Sequence, residues 1–436
     1  MLEKGEYFFW WSDILLMVSV SMAHGSMRQM RSYSAKVFDK DSRLSRMTDG
    51  RVNPRIPLGA VLSTWQWGLM RLTPSTERIG DLLSDERWRA LVGLKREDGG
   101  SPDRAAEILD GLSIDEWNEM MLDDFFIARR AGILTDDGPY GKRCAAVDLN
   151  ELFKSEKVHC AHCQVREKRV LDAAGEKRTV LEYFHQAVAL TWVSGKIPFV
   201  IGWEMLAPGE GELTAALRLL ERILPRLRKS LDFVLGDALY CCRPFFETVC
   251  GAGLQGMAIS SRHTEMDEEI ELLMRTDSPR ILQGLEVAVW QMESEAWHQD
   301  LKRNLRIIHC ERRYEAPAWK RERRELRVVT SAPIDILPSG QGWKVGRCRW
   351  IIENGTFNRL TRDYSLTHNY HHCVSAIVGL LAMRSFACFL TLVYWHNATA
   401  RSSNAPKRFV KWFEEIVIED WVRYLDQALR PDIPSG

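Results

Sequence analysis

The change of hydrophobic rhythm at residue 141 constrains the fold most. Before it, apolar residues recur at helical spacing behind capping side chains, as in "STERIGDLLSDERWRALVGL" and "SIDEWNEMMLDDFFIARRAGIL". After it come three runs rich in β-branched and aromatic residues: "KRCAAVDLNELF", "VLEYFHQAVALTWV" (180–193) and "IPFVIGWEML" (197–206). An amphipathic stretch, "ELTAALRLLERILPRLRKSL" (212–231), separates them from the strand "LDFVLGDALY" (231–240). Then follow a helix, "RPFFETVCGAG", with Pro244 in its first turn and glycine at its end, and the strand "LQGMAISSR" (254–262). Three strands in succession suit a meander, and the later strand–helix alternation suits parallel pairing beside it. The expectation is an α/β fold with a mixed sheet and flanking helices.

Residues 263–325 break this rhythm, acidic at first ("HTEMDEEIELLMR") and basic later ("KRNLRIIHCERRYEAPAWKRERRELR"). The strand pattern resumes in "LRVVTSAPI" (326–334), so 263–325 is expected to be an insertion, partly β. The expected organisation is a helical region over 1–140, an α/β domain over 141–262 plus 326–375, the inserted subdomain 263–325, and C-terminal helices over 376–436.

Two apolar runs raise the question of a membrane. "YFFWWSDILLMVSVSM" near the N-terminus is interrupted by Asp13, and only Lys4 precedes it as a cation. "SAIVGLLAMRSFACFLTLVYW" (375–395) holds Arg384 near its middle, where a bilayer would charge about 3 kcal/mol or more. Both are read as parts of a chain without membrane spans, the second as a buried helix. Ten cysteines without a secretory signal are then thiols or metal ligands in a cytoplasmic protein. Lys plus Arg and Asp plus Glu are equal at 59 each, so nucleic-acid binding would have to come from local patches.

Three acids stand out. Asp148 and Asp237 fall where strands are expected to end, and Glu353 lies on a helix in "RWIIENGTFNRLTRDYSLTHN" (349–369). Each has an ordinary explanation alone: a turn for Asp148, a helix cap for Asp237, an i,i+4 pair with Arg349 for Glu353. Together, acids drawn from separate elements of one sheet can bind Mg²⁺, which takes hard oxygen ligands and leaves positions open for phosphate. Beside Glu353, Arg349, Asn354, Arg359 and Arg362 offer donors suited to a phosphate backbone.

These pieces resemble the DDE transposases of bacterial insertion sequences, in the group whose RNase H-like catalytic domain carries a β-rich insertion before the last catalytic helix. The resemblance is carried by "AAVDLNELF", "KVHCAHC", "YFHQAVAL", "LPRLRKSLDFVLGDALYCCRPFFE", "RVVTSAPI" and "RWIIENGTFNRLTRDYSLTHNYHH". It implies that Asp148, Asp237 and Glu353 are the catalytic acids and hold two Mg²⁺ or Mn²⁺ ions. It also implies that Arg349 is the signature arginine four residues before the Glu. The implied reaction is cleavage at the ends of the element, followed by attack of the freed 3′-hydroxyl on target DNA. The implied partners are double-stranded DNA, as terminal inverted repeats and target, and a second copy of the chain when assembled on DNA; the protein would act at the nucleoid.

The chain departs from the family pattern at Gly346, where Tyr is common, and at Leu360, where Lys is common. Leu149 and Ala238 stand where Gly often follows each Asp. These departures motivate the alternative of a catalytically inactive or repurposed transposase-derived DNA-binding protein.

Three further features remain. Cys160 and Cys163 form a CxxC, with His159, His162 and His185 available to complete a structural zinc site, or else a pair of surface thiols. The basic run 302–327, interleaved with Tyr314 and Trp319, is expected to touch DNA or to form a solvated hairpin face. No Walker-type glycine loop is present, so ATP use is not indicated.

Overall fold

A computed structural model describes residues 27–71, 75–94, 102–171, 177–260, 264–282, 287–294, 305–312, 325–338, 340–368 and 372–401. The apolar run near the N-terminus and the segment after Arg401 lie outside the described residues. The chain forms two compact units, one of Met1–Ile133 with Leu360–Gly436 and one of Leu134–Arg359.

The first unit is helical. Leu58–Met70 is apolar on every side and every residue of it is buried, as a central helix requires. Val374–Arg401 is long and apolar enough to cross a membrane, yet it is buried throughout residues 375–394. Arg384 in its middle donates to the carbonyls of Leu366 (3.4 Å) and His368 (3.2 Å), which reconciles its charge with burial. Phe38 meets Phe386 and Phe389 edge-on at 5.2 and 5.9 Å. Ser75 and Ser113 cap Thr76–Ser84 and Ile114–Arg130 by accepting from Arg78 and Glu116 backbone N–H groups.

The second unit is built on one mixed sheet of ten strands. β1 (Cys144–Ser155), β3 (Lys177–Trp192) and β4 (Phe199–Met205) pair antiparallel in the order β4–β3–β1, and β2 (Gln164–Leu171) forms a ribbon with the first half of β3. Helix Glu212–Leu227 crosses over to β5 (Phe233–Gly236), which lies parallel to β1. Helix Arg243–Gly251 crosses over to β6 (Gln255–Ile259), parallel to β5. The core order β4–β3–β1–β5–β6, antiparallel then parallel, is the RNase H-like arrangement.

The crossover helix 212–227 buries Ala215, Ala216, Leu219, Leu220, Ile223, Leu224 and Leu227 along one stripe, as its sequence pattern requires. Beyond β6 lies β10 (Glu325–Thr330), where the α/β domain resumes, and the insertion's strands continue the same sheet outward from it as β9 (Leu305–Arg312), β8 (Val287–Ser294) and β7 (Arg280–Leu282), all antiparallel. Helix Thr264–Thr276 precedes them.

Two sequence expectations change here. β1 does not end at Asp148 but runs to Ser155 against β3; what ends near Asp148 is the parallel ladder with β5, last paired at Ala146↔Leu235. Within the basic run, Arg306 does not face outward. It is buried and donates to the carbonyls of Ala332 (2.8 Å) and Leu337 (3.1 Å), so its charge serves the fold. Residues 302–304 and 313–324, Tyr314 and Trp319 among them, lie outside the described residues.

Candidate active site

Where β1 parts from β5, a gap opens in the sheet, and such points of an α/β sheet are where functional groups gather. Asp148 stands there on β1, opposite Ala189 of β3. Asp237 follows the last residue of β5 and accepts from the Leu239 N–H at 2.8 Å, capping the short turn Ala238–Tyr240. The cap expected for Asp237 therefore exists, and its carboxylate still faces the neighbouring acids closely enough to raise the Asp148 pKa.

Glu353 comes from the stretch after helix Gln341–Arg347. It sits in a widened π-type turn, Ile352–Phe357, before the chain resumes α-helix at Asn358–Tyr364. Such turns are rare and recur at functional sites. Ile352 and Phe357 are buried, Phe357 stacking on Trp203 at 5.9 Å, while the Glu353 side chain keeps 43% of its surface exposed. Arg349 ties the set together: its Nη1 donates to Glu353 Oε1 at 2.7 Å and to Asp148 Oδ2 at 3.4 Å.

The charge is unbalanced. Burial pushes the Asp148 carboxyl up to about 7; Arg349 and the Leu149 N–H pull it down, while Glu353 and Asp237 push it further up. One guanidinium does not neutralise the acids around it. A fourth acid belongs to this group. Glu212, the first residue of helix Glu212–Leu227, accepts from Tyr240 Oη at 2.8 Å. Burial raises its pKa and the Asp237 charge raises it too, while Tyr240 and the Leu149 N–H lower it. Nothing in the sequence singles out Glu212, the first acid of an amphipathic helix. Only the packing of that helix against β1 and the Asp237 turn exposes its position.

The other expected site residues differ in setting. Asn354 is exposed and accepts from Asn358 Nδ2 at 3.4 Å; Arg359 is half-buried. Arg362 is engaged by Asp363, through Nε at 2.6 Å and Nη2 at 2.9 Å, so a phosphate would compete with that carboxylate. Leu360 is 1% exposed, and Gly346 is buried where an added Cβ would come within 3.2 Å of Val328. Cys160 and Cys163 lie on the β1–β2 connection beside His185.

The sheet has the RNase H-like strand order, with acids near the parting of its two central strands. Residues 205–390 match the family model described as "Transposase DDE domain". The matched range contains Asp237 and Glu353. Asp148 precedes it and is linked to Glu353 through Arg349. No curated protein matches the chain. Among solved structures, a cryo-EM synaptic complex of piggyBac transposase with hairpin DNA aligns at a TM-score of 0.42 and 11% identity, over 93% of this chain and 83% of that one.

Proposed function

We propose that this protein is a DNA transposase of an insertion sequence, with Asp148, Asp237 and Glu353 as its catalytic acids. The observation that supports this most is the convergence of Asp148 and Glu353 on Arg349, with Asp237 near enough to disturb Asp148 electrostatically. A carboxyl held at about 7 among other acids asks for a cation, and its donors are the hard oxygens that Mg²⁺ or Mn²⁺ prefers. When bound, two such ions supply Lewis acidity at the scissile phosphate.

The chain's own groups do the positioning. Arg349 holds Asp148 and Glu353 in one orientation across the sheet–helix boundary. The cap on Leu239 fixes Asp237, and Tyr240 pins the same turn to Glu212. Asn354, Arg359 and Arg362 serve the DNA backbone. In the first step a water oxygen attacks phosphorus and the 3′-oxygen leaves as a hydroxyl. In the second, that hydroxyl attacks a target phosphodiester, so one P–O bond forms as another breaks and no nucleotide cofactor is needed. The helical region 1–140 and the insertion 263–325 serve end recognition, and the active species on DNA is a dimer in the bacterial cytoplasm, at the nucleoid.

The test is nicking of a duplex carrying the inverted repeats that flank the gene. Wild type nicks it only with Mg²⁺ or Mn²⁺, and Asp237→Asn binds it without cleavage. Nicking by Asp237→Asn at the wild-type rate would overturn the assignment. The buried Leu360 favours a second reading, DNA binding without catalysis; metal-independent binding with no nicking by wild type would establish it.

A further inference from the structure

We propose that Cys160, Cys163 and His185 are ligands of a structural Zn²⁺ ion that fastens the β1–β2 connection to β3, independently of the catalytic reading. The three ligand atoms form a near-equilateral triangle. Cys160 Sγ and Cys163 Sγ are 3.7 Å apart, and His185 Nε2 is 3.4 Å from the first and 3.5 Å from the second. Tetrahedral zinc, with bonds of about 2.3 Å to sulfur and about 2.0 Å to nitrogen, sets separations of about 3.8 Å for S···S and about 3.5 Å for S···N. All three edges agree, so the ion enters without rearrangement of its ligands. A disulfide would instead need the sulfurs about 2.0 Å apart.

The backbone is also arranged for thiolates. The Cys160 N–H donates to Cys163 Sγ at 3.3 Å and the His162 N–H to Cys160 Sγ at 3.4 Å, while the Cys163 N–H closes the turn on the Cys160 carbonyl at 3.2 Å. Such N–H donors offset the negative charge of metal-bound sulfur. His185 is 1% exposed, with the Phe153 ring 5.2 Å away, and Cys163 is 4% exposed, which suits a closed structural site. The fourth position falls to a further protein group or a water.

The location gives the ion a task. β2 pairs with β3 from Gln164↔Phe184 to Leu171↔Lys177, whereas the body of the sheet takes over β3 from Tyr183 onward. The ribbon 164–184 is thus two-stranded for most of its length, and isolated two-stranded ribbons are marginal in water. His185 marks its base.

Full-length protein purified with zinc in the medium, and without a histidine tag, should carry about one zinc per chain. Cys160→Ser and Cys163→Ser should lose it and Asp148→Asn should keep it. Chelation should speed amide hydrogen exchange across 158–186 and alkylation of Cys160 and Cys163. Wild type without zinc, or zinc surviving the double Cys→Ser substitution, would overturn the proposal. If the serine variants fail to fold, wild-type alkylation rates decide: equal rates with and without chelator refute the site.

Discussion

Arg349 reaches Glu353 at 2.7 Å, one helical turn away, and Asp148 at 3.4 Å, 201 positions away in the chain. One guanidinium nitrogen, Nη1, thus links the helix acid to the sheet acid. Arg349→Lys keeps the charge but replaces the rigid guanidinium with a flexible point charge that no longer fixes the donor between the two acids. Single-turnover nicking should fall by roughly 10–100-fold, with DNA affinity changed less, because misplacement of catalytic groups is costly in rate. Parallel measurement of nicking and DNA binding checks this.

The Asp148 carboxyl predicts a pH dependence. Its folded-state pKa, about 7, lies above the unfolded value of about 3.9. The folded protein therefore holds an extra proton between those values. The stabilisation from that proton is complete below about 4 and is lost as pH rises through about 7. Metal-free protein should become easier to unfold in urea across this window, and Mg²⁺ should restore its stability at the upper end. Apparent Mg²⁺ affinity should rise with pH to about 7 and then level off. Asp148→Asn should show neither trend.

Gly236, just before Asp237, has no room for a side chain: an added Cβ would lie 2.4 Å from Tyr240 Cβ. Gly236→Ala should cost about 1–3 kcal/mol by overpacking. It should also reduce nicking more than a distant substitution of equal stability cost, since the displaced Tyr240 pins the Asp237 turn. Urea unfolding paired with nicking rates separates the two effects.

Glu212→Gln keeps an acceptor for the Tyr240 hydroxyl while removing one negative charge from the acid group. Apparent Mg²⁺ affinity should drop several-fold, with stability nearly unchanged. Tyr240→Phe removes the bond and should cost about 1 kcal/mol. Metal titration of nicking and thermal melting distinguish these outcomes.

Arg384→Met leaves the Leu366 and His368 carbonyls without their buried donor. A loss of about 2–3 kcal/mol is expected, read by urea denaturation.

What the sequence made legible follows from how loudly each residue type speaks. β-branched runs announced β3, β4, β5, β6 and β10, and the order of the three acids was visible before any geometry. Asp148, Asn150 and Glu151 look like turn chemistry and hide the length of β1, although all three pair with β3, Glu151 just before a register shift. β2 was missed because "QVREKRVL" is exposed and charged, and its strand character comes from pairing with β3. Glu212 was silent because its neighbours arrive from β1 and the Asp237 turn. The CxxC was plain, but choosing His185 among the nearby histidines required the fold.

The widened turn at Ile352–Phe357 works as a fixed angular offset. Closing it to regular winding with the residue count unchanged would swing everything beyond it by about 100° about the axis. Phe357 would then leave Trp203, and Glu353 could no longer share its helix's orientation with the packing that anchors it. The widened turn and the number of residues between Arg349 and Phe357 are therefore matched to one another, and this stretch should tolerate substitutions that keep the wide turn far better than insertions.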